Sequence, residues 1–288
     1  MKKFETGEHM REITNQAFDA ERALYGERDL IVTSCRFEGD ADGESAFKEC
    51  KNIIADNCRF ALRYPFWHND DLIIRRCEMH DTCRAALWYC KSIKVSDTKM
   101  HGTKALRECC DISIENSDIS SQEFGWFCSN IYVRNTEACG EYFMLKSSKL
   151  DFDRFTLHGK YSFQYITDSV FENCTFDTKD AFWHAKNVTV RNCTVKGEYL
   201  AWYSENITFE NCRIIGTQPL CYCKNLRLSG CEMTDCDLAF EKSEVNAVLT
   251  KPIDSIKNPL CGEIHVPSCG EIIFDEEWAK GKVIQTNS

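Results

Sequence analysis

The stretch Val188-Thr-Val-Arg-Asn-Cys-Thr-Val195 is followed 19 residues later by Ile207-Thr-Phe-Glu-Asn-Cys-Arg-Ile214, and the two align without a gap. Earlier copies of the same pattern are found at 30–37 and 53–60. Repeats built from helix pairs need more than about 30 residues, so a unit of this length excludes them. The repeat therefore predicts a solenoid of short, stacked β-coils.

The cysteine position of each unit, here called the anchor, recurs along the chain. The anchors are Cys35, Cys58, Cys77, Thr98, Ser117, Thr136, Phe155, Cys174, Cys193, Cys212, Cys231, Thr250 and Cys269, separated by steps of 23, 19, 21 and then 19 nine times. Apolar residues alternate within each unit and skip once at a bend, which predicts strand, corner, strand. Parallel connections are normally right-handed. The predicted fold is all-β, a single-stranded right-handed parallel β-helix of about 13 coils.

Three columns of small or polar residues mark the corners. Asn precedes the anchor at 57, 116, 135, 173, 192 and 211; Asn or Asp lies six residues before it at 29, 52, 71, 111, 130, 168, 187, 206 and 225; and Gly follows it by four at 39, 102, 140, 159, 197 and 216. Asn, Asp and Gly tolerate left-handed backbone angles, and Asn can hydrogen-bond along a stack. We expect structural roles for these columns, with positive φ at the glycines.

Residues outside the repeat define the predicted domain limits. Residues 23–274 form the β-helix, 1–22 an N-terminal cap and 275–288 a C-terminal cap or tail, because solenoid ends expose strand edges that need cover. The first residues lack the apolar core of a signal peptide, and no apolar run approaches the length of a membrane span. A cytoplasmic location is expected.

The charge and the cysteines narrow the partners. A formal charge of −10 argues against duplex nucleic acid and an anionic membrane surface as partners. The 19 cysteines are odd in number and mostly fall in the repeat. That favours a reducing compartment, with cysteine as a small buried packing residue.

The sequence resembles the pectate-lyase-like class of right-handed parallel β-helices. It is more similar to a family of bacterial β-helix proteins catalogued as a domain of unknown function, on the strength of Glu21-Arg-Ala-Leu-Tyr-Gly-Glu-Arg-Asp-Leu30 and the repeated Asn-Cys-Arg-Phe type of unit. The resemblance covers nearly the whole chain and implies a fold but no activity. It departs from the calcium-dependent lyases, because Asp70-Asp71 is the only acidic pair on a coil and Asp71 falls in a corner column.

An aromatic segment lies 11 to 8 residues before each anchor, as in Phe66-Trp-His-Asn69 and Ala201-Trp-Tyr-Ser204. The third position is the most polar, which predicts that it faces outward, and alternation then turns the tryptophan position inward. The predicted ligand-binding residues of this outer column are Tyr89, Tyr165, His184, Tyr203 and Tyr222. Such an exposed aromatic strip is typical of a contact surface.

Candidate catalytic residues are few. Glu49 and His68 fall in the same column of adjacent coils, close enough for an acid–base pair, and His80-Asp81 lies in an inserted loop. No zinc pattern, phosphate-binding loop or dinucleotide motif is present, so no metal and no cofactor are expected.

Two functional hypotheses follow. The first is a binding or scaffold module that presents the aromatic face to a carbohydrate or a protein, a second copy of the chain included. The alternative is a carbohydrate-active enzyme of the polysaccharide lyase or glycoside hydrolase type, for which Glu49, His68, His80 and Asp81 are the first residues to test.

Overall fold

The computed structural model describes residues 10–286. The chain divides into two compact units, Met1–Ser121 and Gln122–Ser288. All regular structure in the described residues is β-strand, and none of them forms a helix that could cross a membrane. The predicted all-β solenoid is confirmed, with about 14 turns spaced about 19 residues apart.

The first unit stacks its strands in parallel, turn on turn. Its strands are β1 (Arg11–Thr14), β2 (Ala17–Phe18), β3 (Arg28–Thr33), β4 (Arg36–Phe37), β5 (Lys51–Asp56), β6 (Arg59–Phe60), β7 (Asp70–Arg75), β8 (Glu78–Met79), β9 (Leu87–Trp88), β10 (Lys91–Ser96), β11 (Lys99–His101), β12 (Leu106–Arg107), β13 (Cys110–Glu115) and β14 (Asp118–Ser120). One stack runs β1-β3-β5-β7-β10-β13, a second β2-β4-β6-β8-β11-β14, and β9 pairs with β12. The register Leu30–Ile53–Leu72–Ile93–Ile112 reproduces the predicted steps.

The second unit continues the same architecture. Its strands are β15 (Ser129–Glu141), β16 (Ser148–Lys160), β17 (Thr167–Glu172), β18 (Thr175–Lys179), β19 (Lys186–Arg191), β20 (Thr194–Lys196), β21 (Glu205–Glu210), β22 (Arg213–Ile215), β23 (Leu226–Thr234), β24 (Glu244–Leu249), β25 (Ile253–Lys257), β26 (Cys261–Val266), β27 (Cys269–Ile273) and β28 (Lys282–Gln285). The main stack runs β15-β16-β17-β19-β21-β23-β24-β26-β28. A second stack runs β16-β18-β20-β22-β23, and β25 pairs with β27.

Regular pairing reaches into both segments that the sequence assigned to caps. β1 pairs in register with β3, and β28 with β26, so turns of the solenoid occupy parts of 1–22 and 275–288. The first nine and the last two residues of these segments lie outside the described residues. A capping role for the two segments stays a prediction.

The anchor side chains form continuous files and do more than pack. The file expected from the sequence is present at Cys174, Cys193, Cys212 and Cys231, whose thiols hydrogen-bond in sequence. The N–H of Cys174 donates to Sγ of Cys193 at 3.2 Å. In the first unit the N–H of Cys77 donates to Oγ1 of Thr98, and that of Thr98 to Oγ of Ser117, both at 3.2 Å. Each anchor therefore satisfies a buried amide of the preceding turn, which explains why Cys, Thr and Ser share the column.

The regular spacing ends after Cys231. A bulge in β23 shifts the register, so that Cys231 lies opposite Leu249. Thr250 is exposed, and Cys269 pairs with Ile253, only 16 residues back. The prediction of Thr250 and Cys269 as anchors is wrong, because the bulge consumes one residue and the following turns are shorter.

The corner columns behave largely as expected. Every Asn and Asp of the two predicted corner columns has a positive φ, and Asn225, Asn206 and Asn187 hydrogen-bond to one another at 2.8 and 3.0 Å. Gly39, Gly102, Gly197 and Gly216 also have positive φ. The prediction is wrong for Gly140 and Gly159, which lie inside the long strands β15 and β16.

Candidate functional site

An exposed column of stacked side chains lies on the second unit. We call it the outer ladder; its members are Phe127, Lys146, Tyr165, His184, Tyr203 and Tyr222. Ring centroids are 4.7 Å apart for Tyr165 and His184, 5.0 Å for His184 and Tyr203, and 4.9 Å for Tyr203 and Tyr222, with planes within 12° of parallel. The predicted outward orientation of this column is confirmed, since Tyr165 and Tyr203 are 46% and 45% exposed.

The near-parallel stacking decides which part of each ring a partner can reach. His184 has Tyr165 on one face and Tyr203 on the other, and Tyr203 lies between His184 and Tyr222. The exposed surface of these central rings is therefore mainly their edges, which carry C–H groups, the imidazole nitrogens and the tyrosine hydroxyls. Ring edges are the electropositive part of an aromatic side chain.

A cation takes one rung of the outer ladder. Nζ of Lys146 lies 5.9 Å from the ring centroid of Phe127 and 5.7 Å from that of Tyr165. Both distances are within the range of a cation–π contact, so the ammonium group continues the stack where a ring is missing. At the other end the hydroxyl of Tyr222 donates to Oε2 of Glu241 at 3.3 Å. Burial, and then the negative charge of Glu241, raise the pKa of Tyr222 to about 12.

All six rungs adopt a backbone conformation that side chains normally avoid. Their φ angles lie between 54° and 61°. For a residue other than glycine this left-handed region costs roughly 1–2 kcal/mol. Such strain persists only where surrounding structure enforces it, and its concentration in an exposed column favours a function for these side chains.

The tryptophan column is not inside, contrary to the prediction. Trp67, Trp88, Trp126, Trp183 and Trp202 are half-buried at the surface. The rings of Trp183 and Trp202 stack at 5.6 Å with planes 4° apart. Strict alternation fails because left-handed residues flank the column, as Phe182 and His184 flank Trp183, so successive side chains do not point to opposite sides as in a pleated strand.

Each tryptophan caps a backbone carbonyl of the following turn. The indole N–H groups donate to the carbonyl oxygens of left-handed residues, at 2.7 Å from Trp183 to Tyr199 and 2.7 Å from Trp202 to Gln218. Gln164 stands in the same column and donates its amide N–H to Asp180 O at 3.2 Å. A donor role was missed in the sequence, although the appearance of Gln among tryptophans is a signal for it, because both side chains supply an N–H.

The first unit carries a shorter version of the column, at Glu49, His68, Tyr89 and Glu108. His68 stacks on Tyr89 with ring centroids 4.9 Å apart. The carboxylate of Glu49 accepts a hydrogen bond of 2.6 Å from the hydroxyl of Tyr25, which raises the pKa of Tyr25. The proposed acid–base pair of Glu49 and His68 stays a prediction, with each side chain engaged by an aromatic neighbour.

His80 and Asp81 contact each other at the surface, Nδ1 of the histidine against the carboxylate. Both side chains are exposed, and the backbone of His80 accepts a hydrogen bond from the N–H of Cys83 in a tight turn. A catalytic role for this pair stays a prediction. In residues 10–286 no group of three or more His, Cys, Asp or Glu side chains is arranged to hold a metal ion.

The stability of the outer ladder should depend on the charge of His184. Burial between the two rings, and then the charge of Lys186, lower the pKa of His184. In the unfolded chain the imidazole titrates at its ordinary pKa of about 6.5. Below that pH the unfolded state binds the proton more readily, so the free energy of unfolding should fall as the pH drops from about 7 to about 5.

Urea unfolding at several pH values measures this effect. The variant His184→Gln should show a smaller loss of stability between about pH 7 and pH 5 than the natural chain. His265→Gln, at an exposed position of the same unit, is the control for general acid sensitivity. Identical pH profiles for the natural chain and His184→Gln would contradict the expectation.

Comparison with solved structures finds parallel β-helix proteins. The chain is similar to the A-module of mannuronan C-5 epimerase from Azotobacter vinelandii, with 9% identity, a TM-score of 0.34, and 82% of this chain and 89% of that one covered. The catalytic unit of a GH87 α-1,3-glucanase from Streptomyces thermodiastaticus matches at 10% identity and a TM-score of 0.32, over 96% of this chain and 60% of that one. Tailspike protein 3 of bacteriophage CBA120 matches at 9% identity and a TM-score of 0.28, over 95% and 56%. At these identities the likeness concerns the fold alone.

Sequence comparison gives the family directly. No curated protein matches the chain. A family model described as "Protein of unknown function (DUF3737)" matches residues 11–286, nearly all of the solenoid. This agrees with the resemblance read from the repeat units. The chain belongs to the DUF3737 family.

Proposed function

We propose that the chain is a binding module whose outer ladder docks a protein partner. The observation that carries this proposal is a set of four rings that are stacked face to face and yet remain exposed along their edges. Exposed contiguous aromatic surface is typical of contact sites. Tyrosine is enriched in protein interfaces because its rigid ring supplies a large contact area and a polar tip.

Stacking also lowers the cost of binding. A free tyrosine side chain loses rotamer freedom when a partner covers it, at roughly 0.5–1.5 kcal/mol for each side chain immobilised. Tyr165 and Tyr203 are already fixed by their neighbours, so most of that loss occurs on folding. The outer ladder is in this sense preorganised for association.

The same geometry favours a protein over a carbohydrate. A sugar ring that stacks on an aromatic side chain needs a free ring face, and both faces of His184 and Tyr203 are covered. Edge-on contact through C–H groups and hydroxyls suits the apolar side chains and carbonyl oxygens of a polypeptide. A carbohydrate ligand remains as an outcome that the experiment can return.

A photocrosslinking amino acid at position 203 tests the proposal in the cells that encode the protein. We expect a discrete protein adduct from this position, identified by mass spectrometry. Tyr132 is the matched control position, because it is exposed to the same extent, 46%, but lies on the outer face of β15. Equal adducts from both positions, or retention on a polysaccharide column that depends on Tyr203, would contradict a protein-docking ladder.

Replacing Tyr203 by glycine should separate binding from folding. The free energy of unfolding should change by less than about 1 kcal/mol, because relief of the left-handed backbone offsets the lost stacking. Affinity for the crosslinked partner should fall by about thirtyfold, the effect of removing one interface hot spot of about 2 kcal/mol. Urea unfolding and titration with the purified partner measure the two effects. Tyr132→Gly is the control for binding, with no loss expected.

A further inference from the structure

A groove with a volume of about 510 Å³ lies on the outer face of the second unit, apart from the outer ladder. It crosses strands β21, β23, β24 and β26. Two outward columns border it, Thr208–Arg227–Asn246–Glu263 and Glu210–Ser229–Val248–His265. Val248 is 52% exposed, which gives an otherwise polar groove an apolar patch.

The bulge in β23 lies at the edge of this groove. Ser229 pairs with Val248 and Cys231 with Leu249, so Gly230 is the extra residue, with φ of +66°. A Cβ atom at position 230 would lie 2.6 Å from Oδ1 of Asn211, so glycine is required there. Bulges bend a strand and are enriched next to functional sites.

The charges in the groove do not cancel. Glu210 pairs with Arg191 at 2.6 Å, and Glu263 pairs with Lys282 at 3.2 Å. Within the described residues the guanidinium of Arg227 has no carboxylate within 4 Å; its Nε donates to the neutral Oδ1 of Asn225 at 3.4 Å. Its register neighbours in the adjacent strands, Thr208 and Asn246, are also neutral. The exposed guanidinium is thus the uncompensated charge of this groove.

We propose that the groove binds a small carboxylate ligand with an aliphatic body, held by Arg227. The planar guanidinium matches a carboxylate through two parallel hydrogen bonds, which a lysine ammonium cannot reproduce. Asn246 and Thr208 supply neutral polar groups beside it, and Val248 supplies the apolar contact. Hydrogen bonding fixes the carboxylate, and burial of the aliphatic part adds affinity.

Titration with hexanoate, followed by backbone amide NMR signals, tests the site. We expect saturable shifts at Arg227, Asn246 and Val248 with a dissociation constant on the order of 1 mM, as for one exposed charge-assisted pair and a small apolar contact. Hexanamide has the same length and no charge and should bind at least about tenfold more weakly, since a tenfold change corresponds to about 1.4 kcal/mol.

Two variants complete the experiment. Arg227→Gln should weaken hexanoate binding by about tenfold or more, because the bidentate charged contact is lost. Arg213→Gln removes an exposed arginine from β22, outside the groove lining, and should leave binding unchanged. Equal binding of hexanoate and hexanamide, no loss in Arg227→Gln, or no saturable shift at all would each overturn the proposal. Far-ultraviolet circular dichroism confirms that both variants are folded.

Discussion

Replacing Phe163 by alanine is expected to lower the free energy of unfolding by about 4 kcal/mol, the cost of a large cavity in a core. Phe163 is fully buried. Five other rings surround it with centroid distances of 4.8–5.9 Å, those of Phe143, Phe152, Phe171, Phe176 and Phe182. These rings belong to turns on both sides of Phe163, so the cavity cannot close by movement of one side chain.

Urea unfolding of three variants measures this effect. Phe163→Leu retains much of the volume and should cost less than the alanine variant. Phe127→Ala removes an exposed phenylalanine of the outer ladder and should cost about 1 kcal/mol or less, because little buried area is lost. If the alanine variants at 163 and 127 were equally stable, the interior of the second unit would not be packed as described.

Replacing Gly197 by alanine should destabilise the chain by about 2–3 kcal/mol, through backbone strain and overpacking together. Gly197 has a φ of +151°, where residues with a side chain are rarely found. A Cβ atom there would lie 2.2 Å from the carbonyl oxygen of Thr178 in the preceding turn. That atom belongs to the backbone, so the clash can be relieved only by moving two stacked turns apart.

Gly26→Ala is the matched control. Gly26 also has a positive φ, +71°, but no atom lies within 4 Å of the position that a Cβ atom would take there. Its substitution should cost only the left-handed backbone term, roughly 1 kcal/mol. Thermal or urea unfolding of the two variants separates strain from steric overlap. Equal losses at the two positions would show that contact between turns adds nothing at Gly197.

The outer column shows how far sequence reasoning reached into the candidate site. Polarity down the column was enough to predict that Tyr165, His184 and Tyr203 face solvent. Period-2 alternation then placed the tryptophans inside, which is wrong, because the segment alternates left-handed residues with others and has no pleat. A backbone of this kind has no periodicity in the sequence that distinguishes it from a strand.

Arg227 shows the opposite limit. Nothing in its local sequence distinguishes it from other exposed arginines of the repeat, since its lack of an ion pair depends on which residues stand in the turns above and below. The bulge at Gly230 changes that register, and the sequence-based spacing continued through it. Charge balance in the groove therefore became visible only with the strands in place.

The sequence by itself determined the architecture: a unit of 19 residues, the Asn corners, and one acceptor-bearing anchor in most turns. These features are local, because each turn repeats the same steric and hydrogen-bonding problem, and a solenoid solves it with the same residues every time. Tertiary structure alone decided which ring faces are covered, which carbonyls the tryptophans cap and where a charge is left unpaired. Each of these depends on contacts between turns, in which a side chain meets residues about 19 positions away and not its neighbours in the chain.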